Sequence, residues 1–405
     1  PRFFALADAA EQVLTDWEPP PELVQVTADA LGLLVVHVGF LRPDGVAGLV
    51  GAMARLGVPE QPWTRVIHAL FVVAGDPGDR VPAALSLTDD PDPRVALVAW
   101  QWAAILAENG GDIDAARRYC AAALAAIDES STVWQVSIVH TQLAMLELNA
   151  GRHRLAAEHA RAAVPLLERL HAHEDALSMR TAIALTAIID GELDEAERVL
   201  AEAGEPSPGD VTAGLVKLQV VAELLLARGE VHAGLASYVD SISRLESVRF
   251  AGVETSGLEP WTVVAVATAL TAHVRFGATA THRRQARELA GRAAWLVGSL
   301  MAGPEGAVDY PVAGMAVAAL GAFLLSGEPT SGAAECGVRL LSLARRFSYN
   351  RWFPVMSWEF LRQLAEEAAP GRLEAVSQEY GDRLGRELRA EVADVVSRAT
   401  VTSSG

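Results

Sequence analysis

Four stretches of the chain share one pattern: GDIDAARRYCAAAL (111–124), GRHRLAAEHARAAV (151–164), GELDEAERVLAEA (191–203) and GEVHAGLASYVDSI (229–242). Each stretch opens on a glycine, and these four glycines are separated by 40, 40 and 38 residues. Self-similarity at such a period is typical of helical repeat arrays, in which each unit buries its apolar face against the next. The pattern therefore predicts a stack of related helix pairs.

Small residues recur at fixed distances from each glycine. The residues seven positions before the glycines are Ala104, Ala144, Ala184 and Ala222. The residues five positions after the glycines are Ala116, Ala156, Ala196 and Gly234. The residues twelve positions after the glycines are Ala123, Ala163, Ala203 and Ser241. Small side chains let two helices approach closely, and a glycine permits the tight turn between them. We expect these positions to lie where paired helices cross.

The remaining sequence is also typical of helices. Ala, Leu, Glu and Arg dominate, apolar residues recur at i, i+3, i+4 and i+7, and strand signals are few. Glycines and prolines arrive at regular intervals and can end one helix before the next begins. We predict an all-α chain with an off-pattern helical segment (1–90), a repeat array (91–348) and a C-terminal helical cap and tail (349–405).

Composition excludes several classes of partner. The 405 residues carry 33 basic and 51 acidic side chains, a formal net charge of -18, which disfavours direct contact with nucleic acid or an anionic membrane surface. The longest apolar stretches are shorter than the roughly 18 residues that span a bilayer. Two cysteines, Cys120 and Cys336, cannot form a disulfide framework, so we expect a reducing, cytoplasmic setting.

Sequence signatures of catalysis and cofactor binding are absent. The one lysine, Lys217, lies in AGLVKLQV without the glycine cradle of a phosphate-binding loop, and no HExxH or GxSxG appears. His171 and His173 are two residues apart, so on a helix their rings point in different directions and cannot share an ion. We therefore predict no catalytic residue, no metal and no cofactor, and hence a protein that is not an enzyme.

One enzymatic alternative remains open at this point. An α/α-barrel hydrolase could pair a carboxylate, Asp309 or Glu305, with Tyr310 and Trp261 across a cleft. Most other paired carboxylates fall at predicted helix starts, where acidic groups favour the helix dipole.

The first helix of each pair should line the concave face of the array. Ten residues before each glycine stands an uncharged hydrogen-bonding side chain, with mainly apolar neighbours on the same face. The predicted groove residues are Gln101, Ile105, Thr141, Met145, Thr181, Leu185, Gln219 and Glu223. Such a surface suits an extended peptide, a partner domain or a small effector. The same column could instead be interior packing, or the protein's own tail could fill the groove.

The C-terminal part is rich in aromatic residues. Tyr349, Trp352, Phe353, Trp358 and Phe360 lie within twelve residues. Trp352, Phe353 and Trp358 could form a docking surface for a neighbouring domain or protomer, or they could simply close the end of the array. A helix further on carries one apolar stripe, so a homo-oligomer through the C-terminal helices is a second expectation.

The repeated pattern, helix–Gly–[Asp/Glu]–apolar–x–x–Ala, is similar to the tetratricopeptide repeat (TPR). Trp100 stands four residues before Ala104, where that family prefers tryptophan, although these repeats exceed the usual 34 residues. The resemblance covers 94–246 clearly and 260–347 weakly. The stretch DPDPRVALVAWQWAAILAENGGDIDAARRYCAAAL (90–124) also resembles the C-terminal arrays of large bacterial SARP-type and LuxR-type regulators with a signal-transduction ATPase core.

The resemblance implies a right-handed α-solenoid that serves as the sensor or protein-interaction arm of a bacterial transcriptional regulator. The ATPase and DNA-binding domains would then lie outside this chain, which begins at Pro1 and which we expect to be part of a longer protein. A free-standing TPR scaffold is the main alternative.

Overall fold

A computed structural model describes residues 8–10, 12–13, 18–41, 46–129, 131–203, 211–247, 256–303, 308–327 and 331–402. Within these ranges the protein is all-helical and has no strand, as predicted. The described residues form two compact units. One unit contains 8–107 and 115–131, and the other contains 108–114, 132–247 and 256–402. The boundary between the units therefore falls inside the first predicted repeat.

The first unit contains short helices followed by the first repeated pair. Its helices are α1 (Val24–Leu41), α2 (Ala47–Leu56), α3 (Pro62–His68), α4 (Arg80–Leu85), α5 (Pro93–Asn109) and α6 (Ile113–Ala125). The turn between α5 and α6, with the helix ends on either side of it, is assigned to the second unit. Helix α1 packs on α2 and α3, and Leu31, Leu49 and Ile67 form part of their buried core. Trp100 contacts Tyr119 with ring centroids 5.7 Å apart, which joins α5 to α6.

The second unit continues the array and ends in three further helices. Its elements are α7 (Val133–Asn149), α8 (His153–Arg169), α9 (His173–Asp190), α10 (Leu193–Glu202), α11 (Val211–Ala227), α12 (Val231–Ser247), α13 (Pro260–Phe276), α14 (Ala280–Ala302), α15 (Tyr310–Ser326), α16 (Ser331–Arg346), α17 (Trp358–Ala368), α18 (Arg372–Tyr380) and α19 (Arg389–Thr402). Short 3-10 turns lie at Pro354–Met356 and Gly385–Leu388.

Helix packing in the second unit gives two rows. The odd-numbered helices α7, α9, α11, α13 and α15 contact one another in sequence, and we call them the inner row. Each of α8, α10, α12 and α14, the outer row, packs against the inner helix before it and the inner helix after it. Helices α17 and α18 pack on α16, and α19 packs on α14 and α16.

The repeat glycines lie in the turns between consecutive helices, and all the recurring small residues except Ala203 are buried. Gly111, Gly151, Gly191 and Gly229 all have left-handed backbone angles, with φ between 72° and 82°, which favour glycine over any residue with a Cβ. The alanines seven residues before them are fully buried. At the fourth pair a Cβ on Gly234 would lie 3.1 Å from the carbonyl oxygen of Ala222, so these two helices touch through backbone.

The later pairs are built differently. Gly277 and Gly327 have φ values of -77° and -78°, so their turns do not use the left-handed conformation of the first four. Close helix contact is kept by another pair of glycines, since a Cβ on Gly321 would lie 3.0 Å from the carbonyl oxygen of Gly337.

Helices α13 and α15 are buried around their whole circumference. Every residue from Thr262 to His273 and from Tyr310 to Ala322 is buried. A helix that is apolar on all sides needs cover on all sides. The outer row covers one side, and the chain between α16 and α17 contributes to the cover on the other. Within the described ranges no helix combines the length and apolar character that crossing a bilayer requires.

Candidate functional site

Most of the predicted groove residues are buried. Gln101 and Ile105 belong to the first unit, while the other six lie on α7, α9 and α11 of the second. In the second unit Thr181, Leu185, Gln219 and Glu223 are at most 3% exposed, whereas Thr141 and Met145 are partly buried. In the first unit Gln101 is buried and Ile105 partly so. The uncharged column is thus interior in the described conformation, which was one of the alternatives the sequence left open.

Thr181 and Gln219 form hydrogen bonds inside the protein, whereas the buried Oγ1 of Thr141 has no hydrogen-bond partner among the described residues. Thr181 Oγ1 donates to the carbonyl oxygen of Ser178 in its own helix at 2.6 Å. Gln219 Nε2 donates to Thr268 Oγ1 across α11 and α13 at 3.2 Å. Buried polar groups are normally paired in this way because an unpaired one costs free energy.

The inner helices are covered by the protein's own aromatic stretch. Residues 348–357, here called the inner segment, run between α16 and α17 and contact the inner row. Gly314 on α15 permits this approach, because a Cβ there would lie 2.9 Å from the Cβ atoms of Phe347 and Tyr349. Phe353 is fully buried, while Trp352 and Trp358 are partly buried. Phe353 therefore offers no surface for docking in this conformation.

Hydrogen bonds fix the inner segment along the array. The backbone N–H of Val355 donates to Glu223 Oε1 on α11 at 3.0 Å. Arg275 Nη1 on α13 donates to the carbonyl oxygen of Pro354 at 2.9 Å. Trp352 Nε1 donates to Asn149 Oδ1 at the end of α7. Side chains of the array thus hold the backbone of the 3-10 turn at Pro354–Met356 and the indole of Trp352.

Glu223 is the most deeply buried carboxyl group of this contact. Its Oε1 also accepts a hydrogen bond from Tyr238 OH at 2.8 Å. Burial raises the pKa of Glu223 to about 7, against the lowering effect of the hydrogen bonds from Val355 and Tyr238 and of the charge on Arg275. Small changes in its surroundings can therefore change its charge near neutral pH.

A second carboxyl network lies at the other end of the inner segment. Asn149 Nδ2 donates to Glu108 Oε1 at 2.7 Å while its Oδ1 accepts from Trp352. Burial raises the pKa of Glu108 to about 8, and the nearby charge of Asp309 adds to the rise. Burial raises the pKa of Asp309 itself to about 6. Asp309 accepts a hydrogen bond from the N–H of Val312 at 3.0 Å, so it caps α15.

These contacts do not place the residues of the hydrolase alternative in a catalytic arrangement. Asp309 acts as a helix cap, and Glu305, the alternative carboxylate in the sequence argument, lies outside the described residues. Tyr310 is buried against Phe347 in an edge-to-face contact, with ring centroids 5.4 Å apart. Within the described ranges no group of three or more His, Cys, Asp or Glu side chains could hold a metal ion.

An unfilled cleft of about 550 Å³ remains between the inner helices and the inner segment. Its polar lining includes Glu223, Arg275, His153 at the start of α8, and Arg351 of the inner segment. Its apolar lining includes Ile188, Leu226, Phe276, Phe353 and Trp358. A volume of this size, mainly apolar with a few polar groups, is typical of small-molecule sites.

The cleft brings together residues that the sequence argument partly missed. Of the predicted residues it contains Glu223, Phe353 and Trp358, whereas Thr181, Gln219 and Trp352 do not line it. Arg275, Arg351 and His153 were not predicted. The stretch NRWFP (350–354) does carry a signal, because an arginine among buried aromatic residues must place its charge at a surface or a cavity.

Comparison with known proteins gives no family for the chain. No protein-family model matches it, and a search of curated proteins found no match.

Proposed function

We propose that this chain is a TPR-like, right-handed α-solenoid that acts as the sensor and protein-interaction module of a bacterial transcriptional regulator, and that it senses a small effector in the cleft. The observation that carries the proposal is the unfilled volume of about 550 Å³ between the inner row and the inner segment. The four left-handed glycines and the buried small residues support the repeat assignment.

The cleft favours a small effector over a peptide or a partner domain. An extended peptide on the inner row would have to displace the inner segment, whose Phe353 is fully buried and whose backbone is already paired with Glu223 and Arg275. A small molecule can enter the remaining volume without that cost. The side chains of Ala227 and Arg275 are exposed, so the cleft is open to solvent on their side.

An effector would act through the inner segment. The cleft walls come from both the helices and this segment, so a bound molecule would contact both. A ligand shifts a conformational equilibrium only as far as its affinities for the two states differ. An effector that contacts Arg351 and Phe353 would have different affinities for the two states. It would bind when the inner segment lies against the inner row and lose those contacts when the segment is displaced.

Transcription would be the output of the longer regulator. Its DNA-binding and ATPase domains would lie outside this chain, because the net charge of -18 disfavours contact with nucleic acid and the sequence has no phosphate-binding loop. Cys120 and Cys336 are both buried and form no disulfide with each other, which fits the cytoplasmic setting that we propose.

A cleft-filling variant tests the proposal. Ala227→Trp places a large side chain at an exposed position of the cleft wall, and Ala233→Trp places the same side chain at an exposed position of α12 that does not line the cleft. A library of small metabolites is screened by thermal shift on the full chain. We expect compounds that raise the Tm of the wild type and of Ala233→Trp but not of Ala227→Trp.

Three results would contradict it. A screen in which no compound raises the Tm would remove the sensor proposal, and a protein partner that binds with no response to any compound would favour the free-standing scaffold. Compounds that stabilise Ala227→Trp as much as the wild type would place the effector site elsewhere.

A further inference from the structure

The cleft concentrates positive charge in an otherwise acidic protein. Arg275 and Arg351 both line it, and Glu223 is the one carboxylate among its described lining residues. That carboxylate already accepts hydrogen bonds from Val355 and Tyr238 through Oε1. The cleft therefore holds more cationic than anionic groups, although the whole chain has a net charge of -18.

Two nitrogen atoms beside the cleft have unmet hydrogen-bonding capacity. Arg351 Nε and His153 Nδ1 are both buried, and neither has a hydrogen-bond partner among the described residues. The Arg351 guanidinium lies over the ring of Tyr349, with 5.5 Å between its Cζ and the ring centroid. A buried donor without a partner costs free energy, which a ligand that pairs with it would recover.

The rest of the lining is apolar. Leu226, Phe276, Phe353 and Trp358 offer aliphatic and aromatic surface next to the two guanidinium groups. A site of this kind fits a molecule with an anionic head and an apolar body, because the planar fork of an arginine matches the oxygens of a carboxylate or a phosphate.

We infer that the cleft binds a small organic anion, whose oxyanion head contacts Arg351 and Arg275 and whose apolar body lies against Leu226, Phe276 and Phe353. The inference rests on the proposed function, since it names the chemical class of the effector in the same cleft. It also gives a physical reason for sensing: Arg351 belongs to the inner segment and Arg275 to α13, so one anion bridges the two.

The test uses a charged probe and its uncharged counterpart on the full chain. Octanoate and octanamide have the same apolar tail and differ in the charge of the head, and octyl phosphate offers the other oxyanion. Binding is measured by isothermal titration calorimetry at fixed ionic strength. We expect octanoate or octyl phosphate to bind at least about tenfold more tightly than octanamide, as charge-assisted hydrogen bonds imply. The stronger of the two then identifies the head group.

Arg351→Gln is the matching variant, because it removes the charge while keeping a polar side chain of similar reach. We expect it to weaken anion binding about tenfold or more and to leave octanamide binding unchanged. Arg287→Gln, at an exposed position of α14 that does not line the cleft, should change neither. Circular dichroism of both variants shows whether the fold is kept, and Arg275→Gln repeats the test from the other side of the cleft.

The outcomes separate this inference from the function on which it rests. Equal binding of octanoate and octanamide, lost in Ala227→Trp, would overturn the anion site and leave the cleft as an effector site. Anion binding that Arg351→Gln and Arg275→Gln both leave unchanged would also overturn it. Absence of binding by any of the three probes at millimolar concentration would overturn the inference, while the metabolite screen would still decide the sensor function.

Discussion

Glu108 and Glu223 keep their protons to unusually high pH because the fold removes their carboxyl groups from water. Their pKa values rise from 4.5 to about 8 and about 7. A carboxyl whose pKa is higher in the folded than in the unfolded state stabilises the fold at low pH and loses that contribution as pH rises through the folded value. Buried histidines such as His273 have a lowered pKa, so their contribution to stability rises with pH. That rise ends once the histidines are neutral in both the folded and the unfolded protein.

We expect the protein to lose stability between pH 7 and pH 8.5. In this window the histidines no longer offset the ionisation of Glu108, and each pKa unit is worth about 1.4 kcal/mol. Glu108→Gln keeps an acceptor for Asn149 but cannot ionise, so its Tm should fall less over the same window. The measurement is Tm by differential scanning calorimetry at matched ionic strength.

The control is Glu288→Gln, at an exposed position of α14, which should follow the wild-type profile. A wild-type Tm that stays level or rises between pH 7 and pH 8.5 would show that Glu108 is ionised in the folded protein.

At the scale of elements, the contact between α15 and the inner segment depends on a missing side chain. A Cβ on Gly314 would lie 2.9 Å from the Cβ atoms of Phe347 and Tyr349, and 3.1 Å from the Cα of Tyr349. These atoms belong to or adjoin the backbone, so they cannot move without moving the segment.

Gly314→Ala should therefore destabilise the protein by about 1–3 kcal/mol, the range for overpacking a well-packed core. The same substitution at Gly291 meets open space on α14 and should stabilise the helix by up to about 1 kcal/mol, because alanine favours helix over glycine. Urea denaturation of both variants measures the two effects. Opposite signs support the close contact, whereas stabilisation by both substitutions would exclude it.

At the scale of the second unit, the inner segment joins helices that are far apart in the chain. It bonds to α7 through Asn149, to α11 through Glu223 and to α13 through Arg275. Ser348 Oγ also donates to the carbonyl oxygen of Gly111 at 2.7 Å. In a stack where each helix pair contacts only its neighbours, the pairs can unfold locally and separately. A segment that contacts several helix pairs couples their local unfolding.

Hydrogen exchange should reveal this coupling. Gly314→Ala disturbs the inner segment, so we expect faster amide exchange in α7 and α11 as well as in α15. Val297→Ala, a truncation in the fully buried part of α14, should speed exchange mainly in α14 and the helices packed on it. If Gly314→Ala affects α15 alone, the segment is a passive cover and does not link the array.

The sequence by itself determined the helical class, the repeat period and the turn glycines. These depend on local physics, since helix propensity and left-handed backbone angles act within a few residues of each other. Gly111, Gly151, Gly191 and Gly229 could be recognised because the same local need recurs in each pair. The irregular turns at Gly277 and Gly327 were harder to predict because their conformation departs from that pattern.

Only the tertiary structure decided what lies against the inner row. The periodicity showed which face of each first helix points inward, but no local signal tells whether that face meets solvent, a partner or a distant part of the chain. Glu223 and Val355 are separated by 132 residues, and their contact depends on where the whole array places the inner segment. The cleft follows from that placement, because a cavity is what remains where two distant surfaces pack incompletely.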